Sequence, residues 1–300
     1  MGVSQNEQTV TLTHESGASA EIYLFGATLT SWKQGGKERM FVSSKSKLDG
    51  TRAIRGGIPV VFPIFGPPPS SPPEYAALPQ HGFARTSQWA LEETIMDRPE
   101  GVSVRFVHPG PPATFPHEFK LSYVVTLTAH QLSTDVHVVN SGKEDFKFQT
   151  LLHNYLAVPD SSKIKITGID KGTTYKDKVL GMKEYESDGS ALVIDKEIDR
   201  VYQKVPSQEI VVDDGAGSGY KVHFHGLEDC TIWNPQEATG SQMTDMEAGG
   251  WVNASYDNLA MLMPFTGSIH LYRAGIRSGI QDACSRGRVY RRADYHCPLG

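Results

Sequence analysis

The sequence predicts an all-β fold, an antiparallel sandwich or barrel. Three observations carry that expectation. Apolar residues recur with period two in many short runs. Turn-forming dipeptides separate those runs. No stretch of the first 251 residues sustains an i, i+3, i+4 apolar stripe over several turns, and no strand–helix–strand alternation appears.

The runs follow in order along the chain. Val10 and Leu12 alternate with threonine, then Ala20, Ile22 and Leu24 lead to a break at Gly26. Val102, Val104 and Phe106 share a face. Phe119, Leu121, Tyr123, Val125 and Leu127 form the longest run, followed by Leu132, Thr134, Val136 and Val138. Phe146, Phe148, Thr150 and Leu152 repeat the pattern. Ile164 with Ile166 and Val222 with Phe224 are shorter cases. Asn140-Ser141-Gly142, Asp188-Gly189 and Asp213-Asp214-Gly215 read as turns.

Composition narrows the function. The chain has 300 residues and a formal net charge of −5, which argues against nucleic-acid binding by bulk charge. No run approaches the ~20 apolar residues of a membrane span. The first residues lack the apolar core of a secretory signal, so a cytoplasmic protein is expected. Without that signal, the Asn253-Ala254-Ser255 sequon carries no glycosylation expectation. Cys230, Cys284 and Cys297 are odd in number and scattered, so neither a disulfide framework nor a zinc site is expected. No glycine-rich nucleotide motif is present.

The net charge hides a discontinuity. Residues 1–251 carry 23 basic and 31 acidic side chains, a net −8. Residues 252–300 carry six arginines, three aspartates, no lysine and no glutamate, a net +3.

Residues 55 to 90 form one long connection with six prolines between Pro67 and Pro79. Its flanks mix polar and apolar residues too specifically for a solvated spacer. It reads as an ordered loop that displays polar groups on a sheet scaffold. Arg55 and Arg85 bracket it, either as surface ion pairs or as an anion clamp, since guanidinium forks match phosphate oxygens. Gly56 and Gly57 would let backbone approach a ligand closely. Strand alternation places Gln149, Leu151, His153 and Tyr155 on one face. His153 is either a hydrogen-bonded structural residue or a general acid–base group. Asp199 alone is an ordinary charged turn residue. His223 and His225 share a strand face, but a metal needs a third ligand that the sequence does not offer.

Seven segments taken together resemble the glucose-6-phosphate 1-epimerases, the hexose-6-phosphate mutarotases of the aldose 1-epimerase superfamily. They are RGGIPVVFPIFGP (55 to 67), LPQHGFAR (78 to 85) followed by Trp89, LLHNYL (151 to 156), KITGIDKGTTYKDKV (165 to 179), EIDRVY (197 to 202), CTIWNP (230 to 235) and TDMEAGGW (244 to 251). The resemblance implies a galactose mutarotase-like antiparallel β-supersandwich formed by residues 1–251 as one domain. It implies a cofactor-free isomerase that interconverts the α and β anomers of glucose 6-phosphate by acid–base ring opening and reclosure. By motif, His153 resembles the acid at the ring oxygen. Arg55, Gln80 and Arg85 resemble substrate and phosphate ligands, and Asp199 a sugar-hydroxyl acceptor. His81 either lines the site or braces the loop. The implied partner is a hexose 6-phosphate, with no nucleic acid and no membrane, and a monomer is expected. An aldose mutarotase without phosphate preference is disfavoured by Arg55 and Arg85.

The family's base is a glutamate in a late strand of Cys-hydrophobic-Glu-Pro-Gly type, shortly after the GGW-like segment. No glutamate follows Glu247, and the thioethers of Met261 and Met263 are not useful proton acceptors. Read from the second base of their codons, His270 to Gly275 can encode Ile-Cys-Ile-Glu-Pro-Gly. In the same frame, Val289 to Asp294 can encode Tyr-Thr-Gly-Gly-Gln, like the family's closing strand. Val252 begins with the GT of a splice donor, and Thr266-Gly267 can contain an AG acceptor. Residues 252–300 therefore read as an aberrant tail, a retained intron plus frameshift that replaces the last native strands. Such a tail is expected to pack poorly and leave a sheet edge uncovered, with negligible turnover. The alternative is a non-catalytic sugar-phosphate binding or regulatory protein that has lost its base.

Overall fold

The computed structural model describes residues 2–246 and, as backbone, the strands Leu259–Leu271 and Arg288–His296. Among these residues the fold is β throughout, apart from single helical turns at Pro73–Ala76, Ala84–Thr86, Ser161–Lys163 and Gln236–Gly240. The pairings between named strands are antiparallel, in sheets of five, nine and eight strands among the described residues.

The period-two runs become strands with the expected face inward. Phe119, Leu121, Tyr123, Val125 and Leu127 are all buried on Phe119–Leu127. Leu132, Thr134, Val136 and Val138 are buried on the neighbouring strand Gln131–Asn140. One hydrophobic cluster draws on all three sheets. It joins Val10, Ile22 and Trp32 to Val104, Tyr123 and Val136, and to Phe148, Leu152, Ile198 and Ile232. That shared core makes a layered sandwich in which each sheet covers the apolar face of another.

The run around His153 departs from simple alternation. Phe146–Leu152 and Asn154–Ala157 are separate strands, interrupted at His153, and the first carries a register shift between Phe148 and Thr150. Leu151 to Leu156 are buried without a break. Both faces of this stretch are covered, so alternation of burial is lost.

The two described strands of the tail depart from the expected uncovered edge. Leu259–Leu271 runs between Asp229–Asn234 on one side and the two strands flanking His153 on the other. Arg288–His296 runs between Gln131–Asn140 and Gly219–His225. Both are interior positions of their sheets. Pro264 stands opposite Cys230 in the first of them. Proline removes a ladder donor and is rarely found in a central strand. Val252, the expected splice-donor codon, and most of the GGW segment lie outside the described residues.

Candidate functional site

The long connection is ordered by pairing, not only by proline. Val60 and Val61 add a short strand opposite Leu152 and Leu151. Around that pair, Gln149 donates its amide to Pro63 O, His153 to Pro59 O and Tyr155 to Gly57 O, at 2.8, 3.0 and 2.8 Å. Residues 57 to 63 are thereby laid antiparallel beside 149 to 155, which brings Arg55 to His153. The later part returns through a bridge between Phe62 and Gly82, with Phe83 N donating to Phe62 O at 3.0 Å. That places Gln80, His81 and Arg85 on the same side.

The glycines serve packing within the protein. A Cβ on Gly57 would lie 2.0 Å from Leu29 O, and one on Gly56 would lie 2.4 Å from the Val42 Cα. The close approach expected toward a ligand is therefore an approach to the chain's own backbone. At the far end of the loop, Gly82 has φ +69, and its Cβ would meet Phe62 O at 2.1 Å.

Five of the six sequence-predicted residues line one cavity of about 580 Å³: Arg55, Gln80, His81, His153 and Asp199. Asp199 arrives on the strand Ile198–Tyr202, directly opposite Trp233 of Asp229–Asn234. Arg85 does not line the cavity. Its Nη2 donates to Gln80 O at 2.9 Å, and its Nε is buried with no hydrogen-bond partner among the described residues. Its charge still bears on His81 and His153.

Sequence reasoning missed Lys178, Asp245, Phe65 and Trp233, which also line the cavity. All four lie inside quoted motifs, but nothing in their types or spacing singled them out. Lys178 Nζ sits 3.3 Å from both Asp199 carboxylate oxygens and 4.9 Å from the centre of the Phe65 ring. Arg55 donates from Nε and Nη2 to Asp245 Oδ2 at 3.0 and 2.9 Å, and from Nη1 to Tyr155 Oη at 3.2 Å. His223 and His225 lie away from this cavity, and His223 Nε2 is 2.9 Å from Glu209.

The histidine rings pack against their neighbours and against each other. His153 stacks on Tyr155 with ring centres 4.7 Å apart, and His81 meets it edge-on at 6.0 Å. Burial, then the cations Arg85, Lys178 and Arg55, push His81 down to about 3. Burial, then His81, Arg55 and Arg85, hold His153 well below the usual imidazole range. Both are neutral at pH 7. Gly66 N donates to His81 Nδ1 at 3.1 Å, which leaves the His81 proton on Nε2. Burial raises the Asp199 carboxyl above its ordinary range, and Lys178 opposes that. The cavity thus holds a neutral imidazole pair beside two cation–carboxylate pairs, a polar, charge-balanced wall suited to hydroxyl groups.

The strand Leu259–Leu271 passes through the middle of this arrangement. Met261 stands opposite Trp233 on one side and Tyr155 on the other. No carboxylate occurs among residues 259–271.

The model of the family described as aldose 1-epimerase matches residues 8–260. A protein of Escherichia coli K12 named "Putative glucose-6-phosphate 1-epimerase" is 31% identical over 238 residues, covering 77% of this chain and 76% of that protein. A protein of the same name from Cenchrus ciliaris is 29% identical over 256 residues, covering 82% and 74%. Among solved structures, one from Salmonella typhimurium described as a "putative mutarotase" superimposes with a TM-score of 0.80 at 24% identity, covering 98% of this chain and 92% of that one. The galactose 1-epimerase of Lactobacillus acidophilus gives 0.69 at 13% identity, covering 100% and 98%. These structural likenesses establish the galactose mutarotase-like fold.

Proposed function

Since the chain belongs to the aldose 1-epimerase family, we propose that its substrate is a hexose 6-phosphate, glucose 6-phosphate first, whose α and β anomers the site interconverts. The observation that carries this reading is the convergence of His153, Asp199 and Arg55 on one cavity, with Lys178 beside them and Arg85 behind. A plain aldose needs no such cluster of cations.

The chemistry needs an acid and a base on opposite sides of the sugar. A base takes the proton from the C1 hydroxyl while an acid protonates the ring oxygen, and the ring opens. Rotation about the C1–C2 bond presents the other carbonyl face, and the steps reverse. His153 serves as the acid. Its neutral ring is a weak donor. Burial is the main reason it is neutral, and the approach of a phosphate dianion offsets the smaller effect of Arg55 and Arg85 and draws a proton to the ring. Asp199 accepts a sugar hydroxyl, with Lys178 keeping it ionised. Arg55 and Gln80 address the phosphate end, with the Arg85 charge behind them, and His81 braces the loop and borders the sugar.

A second reading has its own support. The strand beside His153 lacks a carboxylate, so the chain as written binds sugar phosphate and turns over slowly. We infer that the base lies in the alternative frame of residues 252–300, the tail being a retained intron plus frameshift. Sequencing the transcript across codons 251 to 268 separates the two. A spliced transcript restoring Ile-Cys-Ile-Glu-Pro favours the epimerase, and its absence favours the binder. Calorimetry with glucose and glucose 6-phosphate tests the substrate. Equal affinities would exclude a phosphate clamp.

A further inference from the structure

We propose that Asp245 is a tethered competitor for Arg55, a carboxylate that a substrate phosphate must displace. The inference rests on the phosphate reading above and adds the residue that limits phosphate affinity.

The geometry of Arg55 is the starting point. A guanidinium offers five N–H donors. Asp245 Oδ2 takes the Nε edge with two of them, and Tyr155 Oη takes one from Nη1. The Nε–Nη2 edge is one that anions engage side-on, and here a protein carboxylate holds it.

Charge makes the two anions exclusive. Among the described residues, the cavity wall carries Arg55 and Lys178 against Asp199 and Asp245, with His81 and His153 neutral. The wall is balanced, so a dianion gains little from entering it. A phosphate on Arg55 would also sit within a few ångströms of Asp245, and like charges at that range in a partly buried site repel strongly. Departure of Asp245 leaves one unmatched cation in the wall and Arg85 behind it, a match for a phosphate dianion.

The tether makes departure feasible. Asp245 is the more exposed partner, with 34% of its side chain accessible against 24% for Arg55. Its neighbours are anchored independently. Met246 is buried and packs with Tyr155, and its amide donates to Met243 O at 3.1 Å. The carboxylate can rotate away without loss of that anchor. A neutral sugar has no charge with which to displace Asp245 from Arg55 and no need to, so the competition falls on phosphorylated ligands alone.

The test is calorimetry of the full chain with glucose 6-phosphate and glucose. Asp245→Asn should tighten glucose 6-phosphate by about fivefold or more and leave glucose within about twofold, since only the anion meets the competitor. Unchanged or weaker glucose 6-phosphate binding would overturn the proposal, because Asp245 would then be positioning Arg55. Equal affinity of the unmodified chain for the two ligands would defeat the phosphate reading itself, and the proposal with it. Should the variant not fold, a structure of the unmodified chain with glucose 6-phosphate decides. Arg55 and Asp245 separated beyond about 4 Å supports displacement, and an intact ion pair overturns it.

Discussion

The amide of His153 donates to the carbonyl of Pro59 at 3.0 Å, in line with the Tyr155–Gly57 bond at 2.8 Å. This short ladder joins a loop more than ninety residues away to the interrupted strand that carries the imidazole. It explains why Arg55 reaches Tyr155 and lines the cavity with His153. Anything that shifts the ladder shifts the site as a unit.

Acid should destabilise the fold through its buried histidines. Burial holds His108 near 4 and His81 near 3, and His153 also lies well below the usual range. The unfolded chain titrates at about 6.5, so below that pH it binds more protons than the folded one. The stabilisation is complete above about 6.5 and is lost as pH falls toward the folded values. Each histidine contributes a slope of about 1.4 kcal/mol per pH unit in that window. His108→Gln should reduce the slope between pH 6 and 5 by about that amount in urea titrations. An unchanged slope would show that His108 is charged in the folded state.

Gly82→Ala should damage the site from a distance. The substitution puts a Cβ at φ +69, 2.1 Å from Phe62 O, and breaks the bridge that seats His81. The expected cost is about 2 kcal/mol or more, from the strained backbone and the displaced carbonyl. A lowered melting temperature with weakened glucose 6-phosphate binding is the expected result. A melting temperature equal to that of the parent would mean that the loop relaxes freely.

Lys178→Met should move the Asp199 titration upward. Burial already raises that carboxyl, and the Lys178 ammonium is the main influence opposing it. Methionine keeps contact with Phe65 but removes the ammonium 3.3 Å from the carboxylate. Sugar-phosphate affinity should then be lost at a higher pH than in the parent as solutions are acidified. A pH profile that overlays the parent's would place Asp199 outside the binding step.

A carboxylate returned to the central strand should raise turnover. Met261 lies between Trp233 and Tyr155 in register. Met261→Glu, or the spliced chain that joins Trp251 to the alternative-frame strand starting near residue 269, should increase anomerisation of α-glucose 6-phosphate by about 10²-fold or more over the chain as written. The measurement is polarimetry or NMR line exchange. In the active form, His153→Gln should remove about 10²–10⁴-fold while binding persists. Full activity in the unmodified chain would sink the missing-base argument.

Much of the fold was legible because strand periodicity is local. Phe119 to Leu127 declare their buried face through alternation alone, and the structure keeps that face. Residues 149 to 155 were harder to read. Pairing on both sides and cover on both faces erase the alternation there, and the strand breaks at His153.

By itself the sequence determined the all-β class, the family motifs, the type of each candidate residue and the loss of glutamate after residue 247. These are properties of residue type and short-range order. Only the tertiary structure decided which charges meet. Lys178 found Asp199 across 21 residues, and Arg55 found Asp245 across 190. No local pattern encodes such pairs, because sheet register and loop return bring them together. The same long-range pairing set Arg85 behind the cavity, turned Gly56 and Gly57 toward their own strands, and laid a strand without a carboxylate beside His153.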